Sequence, residues 1–280
     1  MPRARRVNRN DAPRPLELAQ VRARLTTAYV GREMVYQARL GSTNDLAQEM
    51  ARRRAPEGTL VIADEQTAGR GRLGRQWLSP PGTNLLMSLI FYPPLAPAQA
   101  QRMTMVCALA VADALQCVAG LRADIKWPND ILLRGKKAAG VLTELGLQGD
   151  ALAHTVVGIG LNVNLSASQM PDPLRQTATS VAIERGEPVS REALLAAILN
   201  GVERRYERMR RGESPVDEWS ARLATLGQWV RVSDMSGDAA TAEVWEGRAE
   251  RVDEDGALWL RLDDGTRRRV LAGDVTLREQ

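Results

Sequence analysis

With 280 residues, 44% of them apolar, the chain can bury a sizeable core and corresponds to one large or two unequal domains. Its formal charge of +4 invites a nucleic-acid reading, but residues 1–15 carry five arginines against one aspartate, and the remainder balances 33 basic against 33 acidic residues. A single histidine, His154, excludes a His-rich metal cluster and argues against Ser-His-Asp or Cys-His catalysis, because it lies in the apolar, strand-like run "ALAHTVVGIG".

The proline- and arginine-rich tail, residues 1–15, is expected to be disordered. No apolar stretch is read as the roughly 20 residues of a membrane span, and no apolar segment follows the first arginines as in a signal peptide, so a cytoplasmic protein is expected. "LELAQVRARL" has helical spacing, "MVYQARL" is extended, and "GSTNDLAQEMARRR" is a helix with Ser42 or Thr43 as N-cap and Leu46, Ala47 and Met50 inward. "TLVIADEQ" is a strand that leads into the loop "GRGRLGRQW".

"NLLMSLIFY" is a buried-strand candidate, and "AQRMTMVCALAVADALQCVAG" is a helix stopped by Gly120. Cys107 and Cys117 fall on that helix about 15 Å apart, too far to bridge, and are expected as buried thiols. "DIKWPNDILL", "AAGVLTELGL" and "ALAHTVVGIGLNVN" form three antiparallel strands joined by "RGKK" and "QGD", and "REALLAAILNGVERRYERMRRG" is a helix ended by Gly212. From Gly227 onward, short alternating runs broken by "SGD", "EDG" and "DDG" predict a small β-barrel of about 50 residues. The fold class is α+β: a mixed, mostly antiparallel sheet backed by helices, residues 16–226, followed by an all-β unit, residues 227–280.

In "GRGRLGRQW" the glycines let the backbone approach an anion, the arginines supply planar donor forks, and Trp77 offers a face for a base. That description suits an adenylate and an RNA strand equally. Taken together, "GSTND", "DEQTAGRGRLGRQW", "KWPNDILLRGKKAAG" and "GIGLNVN" resemble biotin protein ligase, and the C-terminal "RVDEDGALWLRLDDGTRRRVLAGDVTLRE" resembles that family's SH3-like domain. The resemblance spans about residues 35–280 and implies the class II synthetase-like biotin/lipoate ligase fold.

The resemblance also implies the chemistry. Biotin and ATP are the substrates, with Mg²⁺ accompanying ATP, and biotinyl-AMP is formed before biotin passes to a lysine of a biotin carboxyl carrier protein, as in acetyl-CoA carboxylase. Lys137 matches the lysine between the carboxylate and the α-phosphate, where a point charge lowers the repulsion of two anions. Arg72 matches the arginine reaching the activated carboxyl and phosphate, with Arg70 and Arg75 adding field. Gly69, Gly71 and Gly74 let the loop close, and such a loop has little reason to order when empty.

Ser42, Thr43 and Gln66 match contacts to the ureido ring, beside the positive start of a helix, and Gly69, Arg70 and Gly140 complete the biotin set. Trp77 is placed against adenine, Asn129 and Asn162 at the base, and Lys126 and Asp130 beside phosphate or magnesium. No metal position and no general base for the acceptor amine follow from the sequence. Trp127 reads equally as core, and Lys136 as hairpin surface.

Three alternatives compete. A lipoate or octanoate ligase shares the fold, but no "RRxSGGG"-like segment is present. A biotin-responsive DNA-binding regulator would need a three-helix unit, for which the roughly forty residues before "GSTND" are too short, so the monofunctional type is expected. An RNA-binding module would use the arginine loop and the tail, but leaves "GSTND" and "GKKAAG" unexplained. Oligomeric state is left open, a homodimer included.

Overall fold

The run 85–91, apolar but for Ser88, is a strand buried on both faces, as a position inside a sheet demands. In the computed structural model, which describes residues 14–78, 80–234, 243–271 and 273–277, seven strands make that sheet. They are β1 (Met34–Leu40), β2 (Leu60–Gln66), β3 (Leu85–Phe91), β4 (Asp124–Lys126), β5 (Asp130–Leu133), β6 (Lys136–Gln148) and β7 (Ala151–Leu161). Their order is β1-β2-β3-β7-β6-β5-β4; the β1–β2 pair is parallel and the others are antiparallel.

Helices α1 (Leu18–Arg22), α2 (Thr43–Arg52) and α3 (Gln101–Ala119) alternate with the early strands, and α4 (Asp172–Thr177), α5 (Val181–Arg185), α6 (Arg191–Arg210) and α7 (Val216–Ser220) follow β7. α3 is buried continuously from Met103 to Ala112, as an all-round apolar helix must be. It lies between the sheet and α6, where Gly201 sits so close to Ala110 that an added Cβ would stand 3.2 Å from the alanine methyl. Contrary to the sequence reading, residues 97–119 are long and apolar enough by composition to span a membrane; here that surface is spent on the core.

A buried ion pair ties these layers together. Arg191 of α6 donates to Asp64 of β2 at 2.7 Å, both side chains under 10% exposed, and also to the Arg14 and Asn84 carbonyls. Tyr36 of β1 donates to the same carboxylate at 2.5 Å, and burial, aided by that bond, pushes its hydroxyl up to about 12.

The C-terminal strands β8 (Trp229–Asp234), β9 (Glu243–Val252), β10 (Leu258–Arg261), β11 (Arg267–Val270) and β12 (Gly273–Leu277) form a separate antiparallel sheet, ordered β11-β10-β9-β8-β12, of SH3-like type. "EDG" and "DDG" make turns as predicted, with Asp253 and Asp264 accepting backbone N–H groups two residues on. The predicted "SGD" turn and residues 1–13 of the tail lie outside the described residues.

Two sequence expectations are corrected. "DIKWPNDILL" is not one strand but the hairpin β4–β5, turning at Trp127–Asn129. Trp127 is core: its backbone N–H donates to Thr225 Oγ1 at 3.0 Å, and its indole N–H donates across to the Gly256 carbonyl of the C-terminal unit at 2.9 Å. Cys107 is buried as expected, whereas Cys117 lies on the outer side of α3 and is exposed.

Candidate active site

The register of the sheet builds the site. Lys126, Asp130, Gly140 and Gly160 are successive cross-strand partners on β4, β5, β6 and β7 and therefore share one face. Two residues along, Leu142, Gly158 and Ser88 form a second such row. α2 covers one end of this face; the remainder is the floor of a cleft of about 710 Å³.

Bare floor is what the three glycines in these rows provide, Gly140 and Gly160 in the first and Gly158 in the second. The Trp77 indole lies on the Gly140–Gly160 pair: a Cβ at Gly160 would stand 2.6 Å from Trp77 Cε2, and one at Gly140 would stand 3.4 Å from Trp77 Cζ3 and from Lys137 Nζ. Gly158 makes room for Asn44 in the same way, since a Cβ there would meet Asn44 Oδ1 at 2.2 Å.

At the α2 end, the Gln66 side-chain oxygen accepts from Thr43 N–H at 2.7 Å and from Thr43 Oγ1 at 3.0 Å. The helix start is thus capped from β2. Ser42 occupies the N-cap position and is buried, but its side chain makes no capping bond. Ser88 Oγ lies 2.8 Å from Thr43 Oγ1 and donates to Asn44 Oδ1 at 2.5 Å, while Asn44 Nδ2 donates to Glu144 at 3.1 Å.

Arg70 pairs with Asp45 and, at 3.6 Å, with Glu144, and the Asp45 bond holds its guanidinium more firmly protonated. The arginine loop bonds to itself through its backbone. Gly71 N–H donates to the Arg75 carbonyl at 2.6 Å, and Trp77 N–H donates to the Gly69 carbonyl at 3.0 Å. Arg72 donates to the Gly273 carbonyl at 3.3 Å, so the loop touches β12, and Gly273, Val275 and Thr276 line the cleft wall.

Lys137 Nζ lies 2.6 Å from Asp130 Oδ1 and 5.5 Å from the centre of the Trp77 ring. Asn129 donates to the Val141 carbonyl at 2.7 Å, and Asn162 to the Thr179 carbonyl at 3.0 Å. Of the predicted site residues, Ser42, Thr43, Gln66, Arg70, Arg72, Arg75, Trp77, Lys126, Asn129, Asp130, Lys137, Gly140 and Asn162 all line the cleft. Gly69 does not; it is buried at the base of the loop, against Gln66 and the Trp77 carbonyl. His154 lies elsewhere on β7, bonded to Gln48 at 2.8 Å, and burial holds its ring below the ordinary histidine value.

Sequence reasoning missed Ser88, Asn44, Gly158, Gly160 and the β12 wall. Ser88 had a signal, a lone hydroxyl within "LLMSLIF"; so had Gly158 and Gly160, alternating in "GIG" as two same-face positions of a strand must. Asp130 is the one carboxylate among the described lining residues, which also include Arg70, Arg72, Arg75, Lys126 and Lys137. Lys137 already holds it, and no cluster of metal-binding side chains occurs among the described residues, so these groups do not make a resident magnesium site.

Residues 36–162 match the Biotin/lipoate A/B protein ligase family, and residues 225–278 match the Biotin protein ligase C terminal domain. The chain is 36% identical over 267 residues to the Bifunctional ligase/repressor BirA of Bacillus spizizenii, covering 95% of this chain and 80% of that one. It is 34% identical over 269 residues to the Biotin--[acetyl-CoA-carboxylase] ligase of Mycobacterium tuberculosis, covering 93% and 95%. The biotin protein ligase from Aquifex aeolicus, solved in complex with biotin and ATP, superposes with a TM-score of 0.73 at 27% identity over 89% of this chain and all of that one. The chain belongs to the biotin and lipoate protein ligase family, on its biotin protein ligase branch. It is a ligase.

Proposed function

We propose that this enzyme condenses biotin with ATP, carried in as its magnesium complex, to give biotinyl-AMP and pyrophosphate, and then transfers biotin to a lysine of a biotin carboxyl carrier protein. The observation that carries the reading is the cleft itself: Arg72, Arg75, Lys126 and Lys137 line it around the glycine-floored seat of Trp77, beside a polar helix start. Lys137 stands over Gly140, where its point charge offsets the repulsion between carboxylate and α-phosphate and stabilises the charge of the transition state. Arg72 and Arg75 reach the same anions from the loop. Arg70 is compensated by Asp45 and Glu144, so it serves as wall more than as field.

At the other end, the buried Ser42 and Thr43 hydroxyls and the Gln66 amide meet the ureido ring, and the start of α2 favours its carbonyl oxygen. Trp77 supplies the stacking face for adenine. Asn129 and Asn162 each engage one amide N–H with backbone, which orients the carboxamide and leaves its oxygen and second N–H to offer the base. Matches to relatives on either side of residue 225 support a catalytic unit over 16–226 and an SH3-like unit over 227–280. The exposed free thiol of Cys117 suits a reducing cytoplasm.

Exchange of labelled pyrophosphate into ATP, with biotin, lipoate, octanoate or no acid, tests the first half-reaction. Exchange with biotin alone is expected. Exchange with lipoate or octanoate instead would move the enzyme to the other branch of its family, and none with any acid would remove the proposal.

A further inference from the structure

The second half-reaction brings a cation to a cationic cleft. An alkyl ammonium ordinarily holds its proton well above neutral pH, yet only the neutral amine attacks a carbonyl. The positive side chains of Arg72, Arg75, Lys126 and Lys137 lower the cost of losing that proton, but they also repel the incoming ammonium. Among the described lining residues there is no histidine, cysteine, tyrosine or glutamate, and Asp130 is the one carboxylate.

Resting on the function proposed above, we infer that Asp130 receives the acceptor lysine and takes its proton. Three observations support this. Asp130 is reachable, with 21% of its side chain exposed. Its row neighbour on β6 is Gly140, over which lie Lys137 Nζ and the edge of the Trp77 ring, so a turn of Lys137 away from this spot opens the carboxylate to a second ammonium. Its partner, the Lys137 ammonium 2.6 Å away, is the group that the biotinyl phosphate anion would draw off. Occupation of the site by the adenylate thus exchanges one ammonium for another: Lys137 turns to the anion and the acceptor lysine takes its place at Asp130.

The step balances. The Asp130 carboxylate accepts one proton from the ammonium, and the freed lone pair forms the C–N bond to the biotin carbonyl carbon. The bond from that carbon to the phosphate oxygen breaks, its electron pair leaving on AMP, and the second nitrogen proton passes to the AMP phosphate. The charges around Asp130 are Lys137 from β6, in contact with it, Lys126, its register partner on β4, and, lining the same cleft from the loop, Arg72, Arg75 and the Asp45-paired Arg70.

The test supplies chemically prepared biotinyl-AMP to the full-length protein and follows single-turnover transfer to two nucleophiles across about pH 6 to 9. One is the lysine of a purified biotin carboxyl carrier domain; the other is hydroxylamine, neutral over most of that range and in no need of a base. Asp130→Asn is expected to slow transfer to lysine by about 10²-fold or more, with far smaller loss toward hydroxylamine and a lysine deficit that shrinks as pH rises. Asp130→Glu is expected to recover part of the lysine rate, which a misfolded variant would not do. Equal losses toward both nucleophiles would show that Asp130 only positions Lys137 and would overturn the inference, as would retained lysine transfer. A wild-type protein that neither exchanges pyrophosphate with biotin nor transfers the supplied adenylate would overturn the proposed function as well.

Discussion

Single side chains at the cleft carry the sharpest expectations. Lys137→Ala should lower biotin-dependent pyrophosphate exchange by about 10²- to 10³-fold, the usual cost of removing one preorganised electrostatic donor. A rate near that of the wild type would make Lys137 a surface residue of its hairpin. Gly160→Ala should be nearly as damaging without touching any charge, because its methyl would stand 2.6 Å from the indole and must lift Trp77 from the floor. Isothermal titration with biotin and with ATP would show the loss, and unchanged affinities for both would refute the floor. That Lys137 and Arg72 would meet at one cleft was legible from the sequence because their motifs are distinctive in combination. For Ser88 the lone hydroxyl was visible but its role was not, since one hydroxyl in a buried strand reads as tolerated polarity until its partners Thr43 and Asn44 come from a helix more than forty residues away.

Among the elements, α2 and the β4–β5 hairpin show what local patterns hide. The sequence offered Ser42 or Thr43 as the N-cap of α2 and Ser42 holds that position, yet the side chain that caps the helix is Gln66, from the end of β2. Gln66→Ala should therefore cost about 1 kcal/mol in urea unfolding, more than Ser42→Ala, although Ser42 holds the N-cap position. The reverse order would mean that Ser42 caps the helix in solution. Most strands were readable from apolar runs and turn residues, because their periodicity is local. The break in "DIKWPNDILL" was not, since it depends on Trp127 being drawn inward by partners at Thr225 and Gly256, about a hundred residues away.

Across the whole molecule, long-range ion pairs decide stability. Arg191→Ala should destabilise the fold by about 3–5 kcal/mol, because it leaves the Asp64 carboxylate buried and unpaired. A loss under about 1 kcal/mol in denaturant melts would show that water reaches Asp64. Between α3, α6 and α7, Asp113 and Glu218 share Arg205 and Arg222. Burial works to raise the Asp113 carboxyl, but hydrogen bonds and charge from both arginines outweigh it and hold it below the ordinary range. The Arg205 hydrogen bond does the same for Glu218 against burial. Carboxyls lowered by folding stabilise the protein above their unfolded values, and that contribution disappears as pH falls through the folded ones. The melting temperature should therefore drop below about pH 4, with a shallower drop in Asp113→Asn.

The place of Trp77 has one further consequence. Of the six tryptophans, Trp127 and Trp219 are sealed in the core, whereas the Trp77 ring lies on the cleft floor with an ammonium 5.5 Å from its centre. Substrate entering the cleft must change what that indole touches, so the protein carries its own optical gauge: intrinsic fluorescence should report occupancy directly, with no label and no acceptor present.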